Sequence, residues 1–204
     1  MNEKVASCGY FDGVAGCYET NWRWRRVRRN QSLALAALEL GPGDRLLDVG
    51  CGTGAAVREA AALVSRVVGL DLSPRMIEQA RELAAELDNT EFAVGDGEHL
   101  PFPDGEFTAV LCSTSIHHFP SPRAAVGEMA RVLAPGGRIA IGDANPEQLV
   151  VRLVDRRLKR NEPGHLGFVH PHELVRLLRD AGCEEISLSR LHRQGFVIAL
   201  ARKR

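Results

Sequence analysis

Aromatic residues are scarce in this chain of 204 residues, which has only two tryptophans, two tyrosines and seven phenylalanines. Both tyrosines, Tyr10 and Tyr18, stand near its start. Chemistry that needs a tyrosine in the body of the fold therefore has no candidate. The five cysteines (Cys8, Cys17, Cys51, Cys112 and Cys183) are scattered, odd in number and never spaced as C-x-x-C. That argues against a disulfide framework or a zinc site, and it suits a reducing compartment. Net charge is lacking too: 26 basic residues balance 26 acidic ones. No global field draws nucleic acid or an anionic membrane. No apolar run is long enough to span a bilayer, and Met1 to Asp12 has no apolar signal core. The expected location is cytoplasmic. The length, the 45% apolar content and the absence of repeats point to one globular domain over residues 1–204.

What the chain does have is alternation. Strands are expected at 45–50, 66–71, 90–95, 107–113 and 138–143. Helices are expected at 54–64, 74–87 and 122–133. Ser73-Pro74 and Ser121-Pro122 supply a serine N-cap followed by proline at the first helical position. Strands separated by helices predict an α/β fold, a parallel sheet with helices on both faces and ligands at the strand C-termini. The ending differs: after a helix at 171–181, two strands at 183–190 and 193–202 are joined by a short turn and must be antiparallel. Residues 1–40 form an N-terminal helical extension, with a helix at 28–40. Residues 144–170 form an insert over the ligand edge.

The most informative stretch is Leu46-Leu47-Asp48-Val49-Gly50-Cys51-Gly52-Thr53-Gly54. A strand, a glycine turn and a helix in that order make a nucleotide-type binding site. Gly50-x-Gly52-x-x-Ala55 satisfies the dinucleotide fingerprint, and Asp71 follows about 20 residues on. An NAD-dependent oxidoreductase is therefore one reading. Against it, Asp48 would face a pyrophosphate, which disfavours an anion there. No Tyr-x-x-x-Lys dyad exists, and a further acid, Asp96, follows the third strand in Gly95-Asp96-Gly97-Glu98. Three acids placed this way suit a cationic adenosine ligand such as S-adenosylmethionine. Asp48 would lie by its amino-acid portion, Asp71 by its ribose and Asp96 by its adenine amino group.

Four segments in order carry a family resemblance: LLDVGCGTG (46–54), VVGLDLSPRMIEQAR (67–81), VGDGEHLPFPDGEFTAVLCSTSIHHFPSP (94–122) and EMARVLAPGGRIAIGD (128–143). The chain resembles class I S-adenosylmethionine-dependent methyltransferases, nearest to the subfamily of ubiquinone and menaquinone biosynthesis C-methyltransferases. The resemblance implies a Rossmann-like three-layer αβα sandwich, with a seven-stranded, mostly parallel sheet and an antiparallel C-terminal strand. It implies S-adenosyl-L-methionine as cofactor and S-adenosyl-L-homocysteine as product. It places the cofactor on the loop Gly50, Cys51, Gly52, Thr53 and Gly54, on Asp48, Asp71, Leu72, Met76, Asp96 and Gly97, and on Ser113 as a floor. Gly97 stands where relatives more usually have alanine. Tyr10-Phe11-Asp12-Gly13-Val14-Ala15 and Tyr18-Glu19 are an N-terminal echo of the pattern, and Tyr18 is a candidate to close over cofactor or substrate.

Methyl transfer from a sulfonium is an in-line displacement with a good leaving group. The protein chiefly positions the reactants and excludes water. A base is needed only when the nucleophile must lose a proton. His117 and His118, just after the fourth strand, are the candidate catalytic residues, with His118 ahead, and shaping of the loop is the alternative. His165, His170 and His172 are candidates for the acceptor pocket or for packing, and no metal is expected. The stretch Trp22 to Arg29 reads as an amphipathic helix or as a contact for RNA or acidic lipid. A second basic cluster spans Arg152, Arg156, Arg157, Lys159 and Arg160. If both clusters border one pocket, an anionic substrate follows.

Cys112 lies in an apolar strand and packs there. Ser113-Thr114-Ser115-Ile116 replaces the Asn/Asp-Pro-Pro-aromatic motif of nucleic-acid amino methylation. A small-molecule acceptor is therefore expected, with the protein a monomer or homodimer. A non-catalytic, cofactor-binding accessory protein is the alternative outside the enzymes.

Overall fold

A computed structural model describes residues 3–20 and 25–204. Trp22, Arg23 and Trp24 of the Trp22–Arg29 stretch lie outside the described residues. In chain order the elements are α1 (Glu3–Val14), α2 (Arg25–Ala36), β1 (Arg45–Val49), α3 (Ala55–Ala61), β2 (Arg66–Asp71), α4 (Pro74–Leu83), β3 (Thr90–Val94), β4 (Phe107–Ser113), α5 (Pro122–Val132), β5 (Leu133–Ala144), α6 (Leu149–Asn161), α7 (Pro171–Asp180), β6 (Cys183–Leu191) and β7 (Phe196–Lys203). The seven strands form one sheet in the order β3-β2-β1-β4-β5-β7-β6. β7 runs antiparallel to both β5 and β6, and the other neighbours are parallel.

The alternating side-chain directions of a strand explain the layers. Leu47 and Val49 of β1, with Val110, Cys112, Ile139 and Ile141, pack under Val126 and Met129 of α5 and Leu174 and Leu178 of α7. Leu46, Val67, Ala109, Leu111 and Ala140 face the other way, against Ala34 and Leu38, Ala56 and Val57, and Ile77. Strands buried on both faces need apolar residues at successive positions, which is why Leu46-Leu47 and Val67-Val68 read as runs. The helix starts follow local chemistry: Ser73 Oγ accepts from Met76 N–H at 3.1 Å, and Ser121 Oγ from Ala124 N–H at 3.2 Å.

The chain leaves β1 toward β2 and β3 on one side, then returns to β4 and β5 on the other. The strand order therefore reverses between β1 and β4, and a crevice opens beyond their C-termini.

Three differences from the sequence expectation stand out. β5 begins at Leu133 rather than 138, because Leu133 pairs with Phe107 and a register irregularity carries the strand through Pro135-Gly136-Gly137. α4 ends at Leu83, and the chain tightens into a turn in which Leu87 N–H donates to Ala84 O at 2.9 Å. The N-terminal extension holds two helices. Asp12 on α1 accepts from Ser73 Oγ at 2.5 Å and from Arg75 N–H at 3.2 Å, which ties α1 to the start of α4. No helix among the described residues is long and apolar enough to cross a membrane.

Candidate active site

A cavity of about 710 Å³ occupies the crevice beyond β1 and β4. That volume suits a ligand of drug size or larger. One wall is the glycine loop and the end of β2. Gly50 and Gly52 both adopt left-handed backbone, at φ 76 and 54. A Cβ on Gly50 would sit 2.5 Å from Ser115 Cβ, whereas one on Gly52 would meet nothing within 4 Å. Gly52 therefore presents bare backbone to open space, a cradle that any side chain would fill. Gly50 and Cys51 donate their N–H groups to Leu70 O at 2.8 and 3.0 Å, which docks the loop on β2.

Asp71 completes this wall. Its Oδ2 accepts from Gly52 N–H at 2.8 Å and its Oδ1 from Ser73 N–H at 2.9 Å. Burial raises its pKa, against the pull of those backbone donors. Leu72, Met76 and Gly97 line the cavity beside it. Gly97 is closely fitted: a Cβ there would lie 2.9 Å from Phe119 Cε1 and 3.0 Å from Val49 Cγ1. The alanine usual in relatives would need those neighbours to give way.

Asp48 sits behind the loop and does not line the cavity. It is buried, and its Oδ2 has no hydrogen-bond partner. Burial, with Asp71 adding, pushes its pKa up to about 7. A buried, unpaired carboxylate is costly, so the acid marks a place where positive charge on a ligand would be favourable. Cys51, Thr53, Gly54 and Ser113 also stand outside the cavity lining. Thr53 Oγ1 donates to Glu19 Oε1 at 2.7 Å, and Arg58 adds a contact to the same oxygen at 2.9 Å. Glu19 thereby pins the segment carrying Tyr18 against the loop, and Tyr18 lines the cavity. Burial, then the charge of Asp71, raises the Tyr18 hydroxyl well above its ordinary pKa.

Asp96 also lines the cavity, but the protein engages both of its oxygens. Oδ2 holds Lys4 Nζ at 2.6 Å and lies 3.3 Å from His99 Nδ1; Oδ1 accepts from Glu98 N–H at 3.0 Å. Burial alone would raise its pKa, yet Lys4 and these donors hold it below the ordinary value.

The opposite wall is built differently. His117 and His118 form a short turn after β4, and both line the cavity. His117 Nδ1 lies 2.8 Å from Oδ2 of buried Asp143, so Nδ1 carries the proton and Nε2 is left as acceptor. His118 Nδ1 lies 2.9 Å from Gly164 O, which fixes the same tautomer. Burial holds His118 well below its ordinary pKa, and the rings of His117 and His165 push the same way. Its ring packs edge-on to Phe11 of α1 at 5.0 Å. Val150, Val151, Val154 and Leu158 of α6 add an apolar surface, and Glu162 follows them.

Sequence reasoning missed several of these residues. Thr114 and Ser115, next to the expected Ser113, are the ones that reach the cavity. Thr114 adopts φ 57, unusual for a β-branched residue, and its N–H donates to Gly142 O at 2.7 Å. Lys4 and Glu162 come from segments with no motif, whereas Phe11 belongs to the N-terminal stretch that echoes the family. His165 joins the histidine pair, whereas His170 and His172 are exposed. Among the described residues of the two basic clusters, Arg157 is the one arginine that lines the cavity.

A protein-family model described as a methyltransferase domain matches residues 47–141. The demethylmenaquinone methyltransferase of Clavibacter sepedonicus is 35% identical over 164 residues, covering 78% of this chain and 67% of that protein. The chain belongs to the S-adenosylmethionine-dependent methyltransferases of class I. The 27-O-demethylrifamycin SV methyltransferase of Amycolatopsis mediterranei is 37% identical over 182 residues, covering 86% of this chain and 65% of that one. The crystal structure of a methyltransferase of this kind from Thermotoga maritima superposes with a TM-score of 0.76 at 27% identity, over 97% of this chain and all of that one. The chain spans about half to two thirds of the length of the curated relatives it matches. The family match runs from β1 into β5. It takes in the glycine-loop wall and the histidine pair but stops short of Asp143, α6 and His165.

Proposed function

We propose that this protein transfers a methyl group from S-adenosylmethionine to a small molecule with an apolar body. The observation that carries the reading is one continuous cavity. It joins the Gly52 cradle and Asp71 on one side to a histidine-bearing apolar wall on the other. The orphaned Asp48 oxygen behind the loop fits a cationic ligand better than a pyrophosphate.

S-adenosylmethionine supplies an electrophilic methyl on a sulfonium that leaves without protonation. The protein's residues hold and orient. Gly50 and Gly52 offer backbone that can be approached closely, and Asp71 faces the ribose hydroxyls. Leu72 and Met76 flank the adenosine, and Gly97 admits the adenine edge. Asp96 offers the adenine amino group Oδ1, which carries one backbone bond, while Lys4 holds Oδ2. Tyr18 and α1 close over the cofactor, and α6 closes over the acceptor and excludes water, which strengthens every electrostatic contact inside. Nε2 of His118 is the lone pair positioned to take a proton from an acceptor hydroxyl or amine.

The test is calorimetry with S-adenosylmethionine, S-adenosylhomocysteine and NAD, followed by a screen of an acceptor pool with methyl-labelled cofactor. Binding of the first two without NAD, together with label transfer, is the expected result. Tight NAD binding with no response to the others would overturn the reading. Cofactor binding with no transfer to any acceptor would favour an accessory role.

A further inference from the structure

Three imidazoles from two parts of the chain, the turn after β4 and the loop beyond α6, converge at the acceptor wall. One ring nitrogen from each of His117, His118 and His165 lies within 4.8 Å of the others. In each ring one nitrogen is already held: His117 Nδ1 by Asp143 at 2.8 Å, His118 Nδ1 by Gly164 O at 2.9 Å and His165 Nε2 by Asp155 at 2.9 Å. The nitrogens left over are Nε2 of His117, Nε2 of His118 and Nδ1 of His165. The last is the most telling. The His165 side chain is 0% exposed and its Nδ1 has no hydrogen-bond partner. Such an atom loses its water on folding and gains nothing in return.

Ligating histidines typically donate their other N–H to a carboxylate or a backbone carbonyl, which sets the tautomer and aims the lone pair. All three rings here have that support. Asp155 is itself braced by Phe168 N–H at 3.0 Å and by Lys159 at 2.9 Å. Asp143 accepts from Ala144 N–H at 2.7 Å.

We propose that His117, His118 and His165 form a binding site for a divalent first-row transition metal ion, zinc fitting best, with one coordination position open to the acceptor cavity. Three imidazoles without thiolate suit zinc, cobalt, nickel or ferrous iron rather than magnesium or calcium, which prefer oxygen. Three protein ligands with a vacant position is the layout of catalytic, not structural, zinc. His117 and His118 line the cavity, while His165 closes the site from behind. Tetrahedral bonds of about 2.0–2.1 Å put ligand nitrogens about 3.4 Å apart, so the three rings, which offer nitrogens within 4.8 Å of one another, would draw closer on loading. Side-chain rotation supplies that movement, and the His117 and His118 ring centroids are already 4.1 Å apart.

The open position would take an oxygen of the acceptor. That role, unlike the site itself, rests on the methyltransferase reading. The ion would then lower the acceptor's pKa in place of a free His118 lone pair. Glu162 Oε1, 3.8 Å from His118 Nε2, stands beside it.

The test uses the full chain, free of any affinity tag and stripped with chelator. It is titrated with Zn2+ by calorimetry and with Co2+ by visible absorption. The expected result is one saturable equivalent, d–d bands of a four-coordinate nitrogen site, and displacement of Co2+ by Zn2+. His165→Gln should weaken binding at least 100-fold while S-adenosylhomocysteine binding persists, which shows that the variant is folded. The exposed pair His170 and His172, with rings 5.4 Å apart, could capture an ion at the surface. The double variant His170→Gln/His172→Gln should therefore keep the full equivalent. A wild-type chain that takes up no saturable Co2+, or binding lost with the surface pair, overturns the proposal. An intact cobalt site with no S-adenosylhomocysteine binding would instead overturn the cofactor reading.

Discussion

Along β1, β2 and β4 the cavity is bounded by backbone and by one carboxylate at a strand end; across it, the boundary is side chains drawn from α1, the turn after β4, α6 and the loop beyond α6. The first wall is tied by backbone donors of the loop after β1 to the end of the adjacent strand β2: Gly50 and Cys51 to Leu70, Gly52 to Asp71. The second is tied by imidazole side chains to groups outside the parallel core of the sheet: His117 to Asp143, His118 to Gly164, His165 to Asp155. α6 itself contributes no buried residue, and Leu149, Val150, Leu153 and Val154 remain largely exposed. A wall made by the sheet keeps its shape without a ligand. A wall made by a loosely packed helix and three imidazoles can be rebuilt for a different acceptor without disturbing the sheet.

The sharpest way to break this contrast is at Gly52. Gly52→Ala fills the cradle, and overpacking of about 1–3 kcal/mol predicts roughly a 10- to 100-fold loss of S-adenosylhomocysteine affinity. The left-handed backbone adds about 1–2 kcal/mol of destabilisation, so melting should shift by only a few degrees. An unchanged affinity in calorimetry would remove the loop from the cofactor site. On the other wall, Asp143→Asn unsettles the His117 tautomer. It should lower turnover about 10-fold or more and leave S-adenosylhomocysteine affinity within about twofold, because the side-chain bonds of Asp143 go to His117 and to Ala144 rather than to the glycine loop. If both fall together, the walls are coupled and the contrast fails.

Asp48 sharpens the comparison from within the first wall. Its folded pKa of about 7 lies above the ordinary carboxylate value. The native state therefore binds this proton more tightly than the unfolded chain. The stability it contributes is fully present below the ordinary carboxylate pKa and is lost as pH rises toward 7. Asp48→Asn should stabilise the cofactor-free protein by about 1–2 kcal/mol at pH 8. The gain should shrink toward pH 5 in thermal melts, and cofactor affinity should fall. A variant less stable than wild type at pH 8 would show that the carboxylate is satisfied as it stands.

The smallest effect belongs to Lys4. Its part-exposed ion pairs with Asp96 at 2.6 Å and Glu98 at 2.7 Å contribute no more than about 1 kcal/mol after solvent screening. Lys4→Ala should cost that much in chemical denaturation while freeing Asp96, and S-adenosylhomocysteine binding should tighten about two- to threefold. Weaker binding would mean that α1 contributes more by covering the cofactor than Lys4 costs by occupying the acid.

The strand-helix alternation was legible because the central parallel strands are buried on both faces and the helices after Ser73 and Ser121 start at a serine cap. The glycine loop was legible for the same local reason: φ above zero and bare backbone call for glycine at Gly50 and Gly52. The β5 start was not, since Pro135-Gly136-Gly137 reads as a break until Phe107 pairs with Leu133 across it. Asp96 shows another limit. Its position after β3 can be read from the chain, but its pairing with Lys4, 92 residues away, cannot.

The sequence by itself determined the sheet, the turn that admits a cofactor and the family, because strand alternation, caps and left-handed turns are contacts between near neighbours. Only the tertiary structure decided that Asp48 lies behind the loop, that Glu19 pins Tyr18, and that His165 completes a cluster with His117 and His118. The last two relations join segments far apart in the chain, and the first depends on what the fold packs around Asp48. No spacing rule links them, and only the packing of α1 and α6 over the strand ends brings them together.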